Sequence, residues 1–158
     1  MTKQTELELY WGFVSRSVDH IIACLVGLDS TQLNWRPCDD ASSLYMLAAH
    51  MLGNMEEVIL GLLCAQPVQR DRDAEFAAAS DSVEPIRAQW HTLRQRIEKS
   101  LFGLGDEILT QRFTHPRRGE MSGQAIWMVV MRHAAEHMGH AELTRDLMRT
   151  KWNTDCTD

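Results

Sequence analysis

Apolar residues recur along this chain at three- and four-residue steps in four separate stretches. Leu7, Tyr10, Trp11, Val14, Val18, Ile21, Leu25 and Leu28 fall on one stripe of a helix over about residues 4–28. Gly27 and Leu28-Asp29-Ser30 end it, and Pro37 with Asp39-Asp40 keeps the next stretch irregular. Ser42 or Ser43 then caps a second helix, about 42–65, whose stripe is Leu44, Leu47, Ala48, Met51, Met55, Val58, Ile59 and Leu62. A third, about 82–103, opens with Ser82 and Pro85, carries Val83, Ile86, Trp90, Leu93, Ile97 and Leu101, and closes at Gly103 and Gly105. The fourth, about 122–149, is capped by Ser122 and striped by Ile126, Val130, Ala134, Ala141 and Met148.

Four helices with one apolar face each bury those faces as an all-α four-helix bundle, read here as one domain over 1–158. The polar segment 66–81 shows no strand-like alternation and reads as a connection. A helix of about 23 residues is roughly 35 Å long, and about 15 linker residues reach roughly 50 Å. That connection is long enough to run back along the bundle and leave helices two and three parallel. A second connection, with Thr114-His115-Pro116-Arg117-Arg118-Gly119, leads to helix four.

Composition narrows the partners. Sixteen Lys and Arg against 22 Asp and Glu give a net charge of −6, and Arg117-Arg118 is the nearest thing to a basic run. Phosphate neutralisation needs clustered cations, so nucleic acid is not an expected partner. Apolar runs are only a few residues long and the first residues are polar, so neither a membrane span nor a cleavable signal is expected. Cys24, Cys38, Cys64 and Cys156 lack C-x-x-C spacing, which argues for reduced thiols in a cytoplasm.

Seven histidines are the unusual feature, and His133, His137 and His140 crowd helix four. At 100° per residue, His133 and His140 lie about 40° and 60° to one side of His137, on the face of the apolar stripe. Imidazoles aimed into a bundle need partners. The i, i+4 pair His133 and His137 has the spacing that sets two ring nitrogens on one metal ion. His50 is the best third candidate, on a flank of helix two shared with Gly53, Asn54, Glu57 and Gly61. Each feature also has a plainer reading, because H-x-x-x-H occurs on surface helices and a histidine beside apolar residues is commonly a satisfied core residue. His20, His91 and His115 are expected at the surface, and Glu57, seven residues after His50, as a solvated or substrate-facing carboxylate. There is no E-x-x-H of the di-iron bundles, no H-E-x-x-H, no G-x-S-x-G and no phosphate-cradling glycine loop.

Leu33-Asn34-Trp35-Arg36-Pro37 after helix one, His50 some thirteen residues on, and His133-x-x-x-His137-x-Gly139 on helix four together resemble the DinB/YfiT-like family of metal-binding four-helix bundles. The resemblance spans nearly the whole chain. It implies that His50, His133 and His137 form a three-histidine site for zinc or nickel, with a position left open for water or substrate. It also implies the long crossover and homodimers. Family members with assigned activities are mostly transferases or isomerases using a low-molecular-weight thiol such as mycothiol or bacillithiol, and an open metal position suits activation of a thiol. His140 could pair with His137 at i, i+3 in place of His133; the family spacing favours His133, leaving His140 as the catalytic candidate that takes or gives a proton near the metal. Asn34-Trp35-Arg36-Pro37 is read as structural, with Trp35 on the bundle end and Arg36 paired to an acid. The expected function is therefore a metal-dependent thiol S-transferase or isomerase acting on a small electrophile. A non-catalytic metal- or ligand-binding stress-response bundle and a metal-dependent hydrolase are the alternatives.

Overall fold

The computed structural model describes residues 5–154, with side chains through Trp152. Helix α1 spans Glu6–Ala23 and opens with a capping box, in which Thr5 accepts from Glu8 N–H and Glu8 from Thr5 N–H. It stops short of the expected end because Cys24 to Gly27 form tighter turns, Gly27 taking φ +79°; the expected start at residue 4 lies outside the described residues. Where irregular chain is expected, a short α2 spans Ser30–Asn34, started by a second capping box between Asp29 and Gln32.

Helix α3, Leu44–Met55, is capped by Ser43 and runs on as a π-helical segment, Glu56–Leu63. Ala65 ends it in the left-handed region at φ 52°, with Gln66 N–H donating to Leu60 O at 2.9 Å. The 66–81 connection is not featureless: it holds α4, Arg72–Phe76, capped by Asp71. Helix α5 spans Glu84–Leu101 with Pro85 in its first turn. The following connection contains a 3-10 turn, Asp106–Leu109, and an antiparallel hairpin of β1, Arg112–His115, and β2, Gly119–Ser122. Gly119 at φ +75° makes the hairpin turn possible. Helix α6, Gly123–Thr154, is longer than expected.

Contacts along the helices fix their directions. Tyr45 and Ala49 of α3 share a cavity wall with Ile86 and Gln89 of α5, and farther on Glu56 pairs with Arg96. Helices α3 and α5 are thus parallel, and the 66–81 segment is the crossover that its length allowed. Asn54 meets His133 while His50 meets His137, so α3 and α6 are antiparallel. Every predicted stripe faces one core in which Val14, Ile21, Leu44, Met51, Ile59, Ile86, Ile97, Ile126 and Ala141 are inaccessible to solvent or nearly so. Helix α3 also buries Tyr45, Met46 and Leu52, so its stripe widens to most of its circumference. As a result Leu44–Leu63, against the reading of short apolar runs, is long and apolar enough by composition to cross a membrane; here it is mostly buried, as the central helix of the bundle.

The loop after α2 is structural. Asn34 bonds the backbone of Ser30 and Ser80, and Trp35 meets Trp152 edge-on at 5.7 Å. Among the described residues Arg36 does not find the expected acid; its guanidinium lies 3.8 Å from the Met46 sulfur.

Candidate metal centre

The antiparallel seam of α3 and α6 brings His50, His133 and His137 together. Their ring centroids lie 4.4 to 5.3 Å apart, and one ring nitrogen from each falls within 4.8 Å of the others. His50 is buried; the other two are half-buried. The 3.6-residue period puts His133 and His137 one turn apart on α6, and their Nε2 atoms face each other at 2.8 Å.

The outer ring nitrogens decide which atoms carry lone pairs. His50 Nδ1 lies 3.0 Å from the Glu75 carboxylate, an acceptor, so the proton sits on Nδ1 and Nε2 is left unprotonated. His133 Nδ1 likewise donates to Asn54 Oδ1 at 3.1 Å. This is the arrangement in which carboxylate and amide partners fix tautomer and ring orientation around a metal. His137 Nδ1 is buried without a partner among the described residues, so this ring has bonding capacity that they do not use.

Burial above all, then the neighbouring histidines, pushes the His133 pKa down to about 3 and that of His137 to about 4. Burial also lowers His50, with Glu75 opposing it. Neutral imidazoles that converge on one point are the donor set a divalent cation needs, and zinc accepts such nitrogens at about 2.0 to 2.1 Å. The residues present fit such an ion.

Around the histidines lies a buried ion network that the periodicity did not reveal. Arg70 reaches Glu75 with Nε at 2.6 Å and Nη2 at 2.8 Å, and Glu57 with Nη1 at 2.7 Å; Arg117 adds a second contact to Glu57 at 2.8 Å. Burial works against ionisation of Glu57, but Arg70 and Arg117 outweigh it and hold its pKa below the usual range. Glu57 is therefore a bridging anion rather than a solvated one. Glu75 comes from the short α4, and Gly53 admits it: a Cβ there would run into the Glu75 carboxylate.

Of the other histidines, His20 and His91 lie at the surface as expected. His115 does not: it ends β1 only 4% exposed, because the hairpin folds it against the bundle. His140 stands outside the three-histidine group, exposed, with its ring 5.7 Å from that of His137. Cys24, Cys38 and Cys64 are free thiols, and burial raises Cys24 and pushes Cys64 up to about 11; Cys156 lies outside the described residues.

Two openings flank the cluster. One, about 240 Å³, is lined by His50 and His133 with Asn54, Arg70 and the hairpin. The other, about 420 Å³, is lined by His137 and His140 with Leu47, Leu143 and Leu147.

The family model for mycothiol-S-transferase matches residues 10–150, which includes all three histidines and both openings. The chain belongs to this DinB-like family. Among solved structures, a DinB-like protein from Bacillus cereus is 15% identical over 89% of each chain, with a TM-score of 0.71. A conserved protein from Enterococcus faecalis is 14% identical over 92% of this chain and 98% of its own, with a TM-score of 0.75. Both share the fold seen here. No curated protein matches the chain significantly.

Proposed function

We propose that the chain is a divalent-metal-dependent S-transferase that joins a low-molecular-weight thiol to a small electrophile. The observation that carries this is the convergence of the three imidazoles, with the outer nitrogens of His50 and His133 tied to Glu75 and Asn54. In this reading His50, His133 and His137 hold zinc or nickel. Bound there, the ion supplies a Lewis acid that favours the thiolate form of a thiol at neutral pH. His140, beside His137 at the mouth of the larger opening, takes the thiol proton. The sulfur lone pair then forms a bond to the electrophilic carbon, and the leaving group departs with the electrons of its bond.

Family membership supports an external thiol, and so do the buried Cys24 and half-buried Cys64, whose thiols desolvation keeps poorly ionised. The proposal extends to a homodimer in a cytoplasm, where small thiols stay reduced.

Purified protein tests the reading. Elemental analysis is expected to find one divalent metal per chain, lost in His137→Ala and kept in His20→Ala. Displacement of chloride from chlorodinitrobenzene by a thiol should be accelerated only with metal present and His50 intact. A metal-free wild type with full helicity, or equal rates for wild type and His50→Ala, would overturn it.

A further inference from the structure

Arg117 and Arg118 occupy the turn between β1 and β2, where Arg118 N–H closes on His115 O at 3.2 Å. That turn borders the smaller opening beside the histidines. Its wall carries five arginines, Arg70, Arg72, Arg117, Arg118 and Arg132, and no aspartate or glutamate. In a chain of net charge −6, this is a local reversal of sign.

Three of the five cations are already neutralised. Arg70 and Arg117 share Glu57, Arg70 also holds Glu75, and Arg132 pairs with Glu136 at 3.0 Å. Arg118 and Arg72 have no carboxylate partner among the described residues. Arg72 instead lies over the Phe76 ring at 5.3 Å, and that ring lies 4.9 Å from His50, so this uncompensated cation is two ring contacts from the cluster. His115 adds a donor: its Nδ1 accepts from Arg117 N–H at 3.1 Å, which places its proton on Nε2. A concave wall of one sign focuses field lines, and a guanidinium fork matches a carboxylate in shape as well as charge. The opening on the His137 side has no arginine and includes Asp40, so the attraction is one-sided.

We propose that the arginine-lined opening binds the carboxylate of one of the two reacting molecules, held by Arg118 and Arg72 beside the three histidines. The inference rests on the S-transferase reading only in calling that molecule a substrate. The carboxylate can belong to the thiol or to the electrophile, and two matched pairs separate these: mercaptopropionate against mercaptopropionamide, and chlorodinitrobenzoate against chlorodinitrobenzene. Affinities are measured by calorimetry on the protein as purified, and KM is measured beside them.

In one pair the acid is expected to bind at least about tenfold more tightly than its neutral partner, the yield of one hydrogen-bonded charge pair. The preference should shrink with added salt, collapse toward one in Arg118→Ala and in Arg72→Ala, survive in part in Arg118→Lys, and persist in Arg112→Ala. Arg112, at the open end of the hairpin, does not line the opening. Equal affinities within both pairs, or a full preference in Arg118→Ala, would overturn the proposal. A preference without metal or turnover would leave the anion site standing and remove the transferase reading. Turnover without a preference would do the reverse.

Discussion

The bundle uses the same arrangement twice, an arginine between two carboxylates of which at least one accepts from an aromatic N–H. Between α1 and α5, Arg94 pairs with Asp19 and Glu98, which accept from Trp90 Nε1 at 2.7 Å and Trp11 Nε1 at 3.2 Å. Beside α3, Arg70 pairs with Glu75 and Glu57, and Glu75 accepts from His50. Two differences separate a structural bracket from a site. Arg94 and Asp19 side chains are 39% and 46% exposed, whereas those of Arg70 and Glu75 are 7% and 9% exposed. Tryptophan also has one nitrogen, so after donating it presents only carbon inward. Histidine has two, and the proton held outward by Glu75 leaves a lone pair free for the group that His50 forms with His133 and His137.

The comparison breaks most sharply at the two carboxylates. Glu75→Ala strips a buried arginine of one partner and His50 of its acceptor. Loss of one member of a buried pair costs about 3 to 5 kcal/mol, and the lower end applies because Glu57 still holds Arg70. Urea unfolding should show that loss, with metal affinity falling about 10- to 100-fold because the His50 ring is no longer fixed. A variant as stable and as metal-avid as wild type would mean that Glu75 does not position His50.

That network explains what could and could not be read in the sequence. The four stripes gave the helices because each buries one face, and the i, i+4 spacing of His133 and His137 survives folding unchanged since both ride one helix. Glu75 and Arg70 come from a segment without periodicity, stabilised by one capping side chain and by the ions themselves, so no hydrophobic pattern marks them. Gly53 beside His50 was the visible trace, an interior helix glycine on the polar flank. Asp29 and Gln32 spell a capping box, but the helix it starts is too short to show a hydrophobic period. His115 was misplaced because Thr114-His115-Pro116 resembles a loop, whereas the short strand turns alternate residues toward the core.

Acid should separate the two regions next. With pKa values of about 3 and 4 in the folded state, His133 and His137 stay neutral where an unfolded histidine, near 6.5, takes up a proton. From pH 6.5 downward the unfolded chain of the metal-free protein therefore binds more protons than the folded one, and stability falls until the folded values are reached. The indoles of the other bracket do not titrate there. Urea midpoints of metal-free protein between pH 8 and pH 5 should drop below about pH 6.5, and drop less in a His133→Leu variant. A flat profile in wild type would show that these rings are not held neutral by burial.

The smallest effect belongs to Asp19→Ala, the counterpart of Glu75→Ala on the exposed side. It removes the acceptor of Trp90 Nε1 and one partner of Arg94. Arg94 keeps Glu98 and is open to water, so its share of the loss is small, as for most surface ion pairs. Trp90 is buried to 6% exposure, and its unmade hydrogen bond carries most of the cost. The sum is about 1 kcal/mol, a modest shift in urea midpoint, with metal content and the acid profile unchanged because no atom of the histidine cluster depends on Asp19. A loss as large as that of Glu75→Ala would mean that burial does not distinguish the brackets; a loss of metal would mean that the α1–α5 seam positions the histidines through the core.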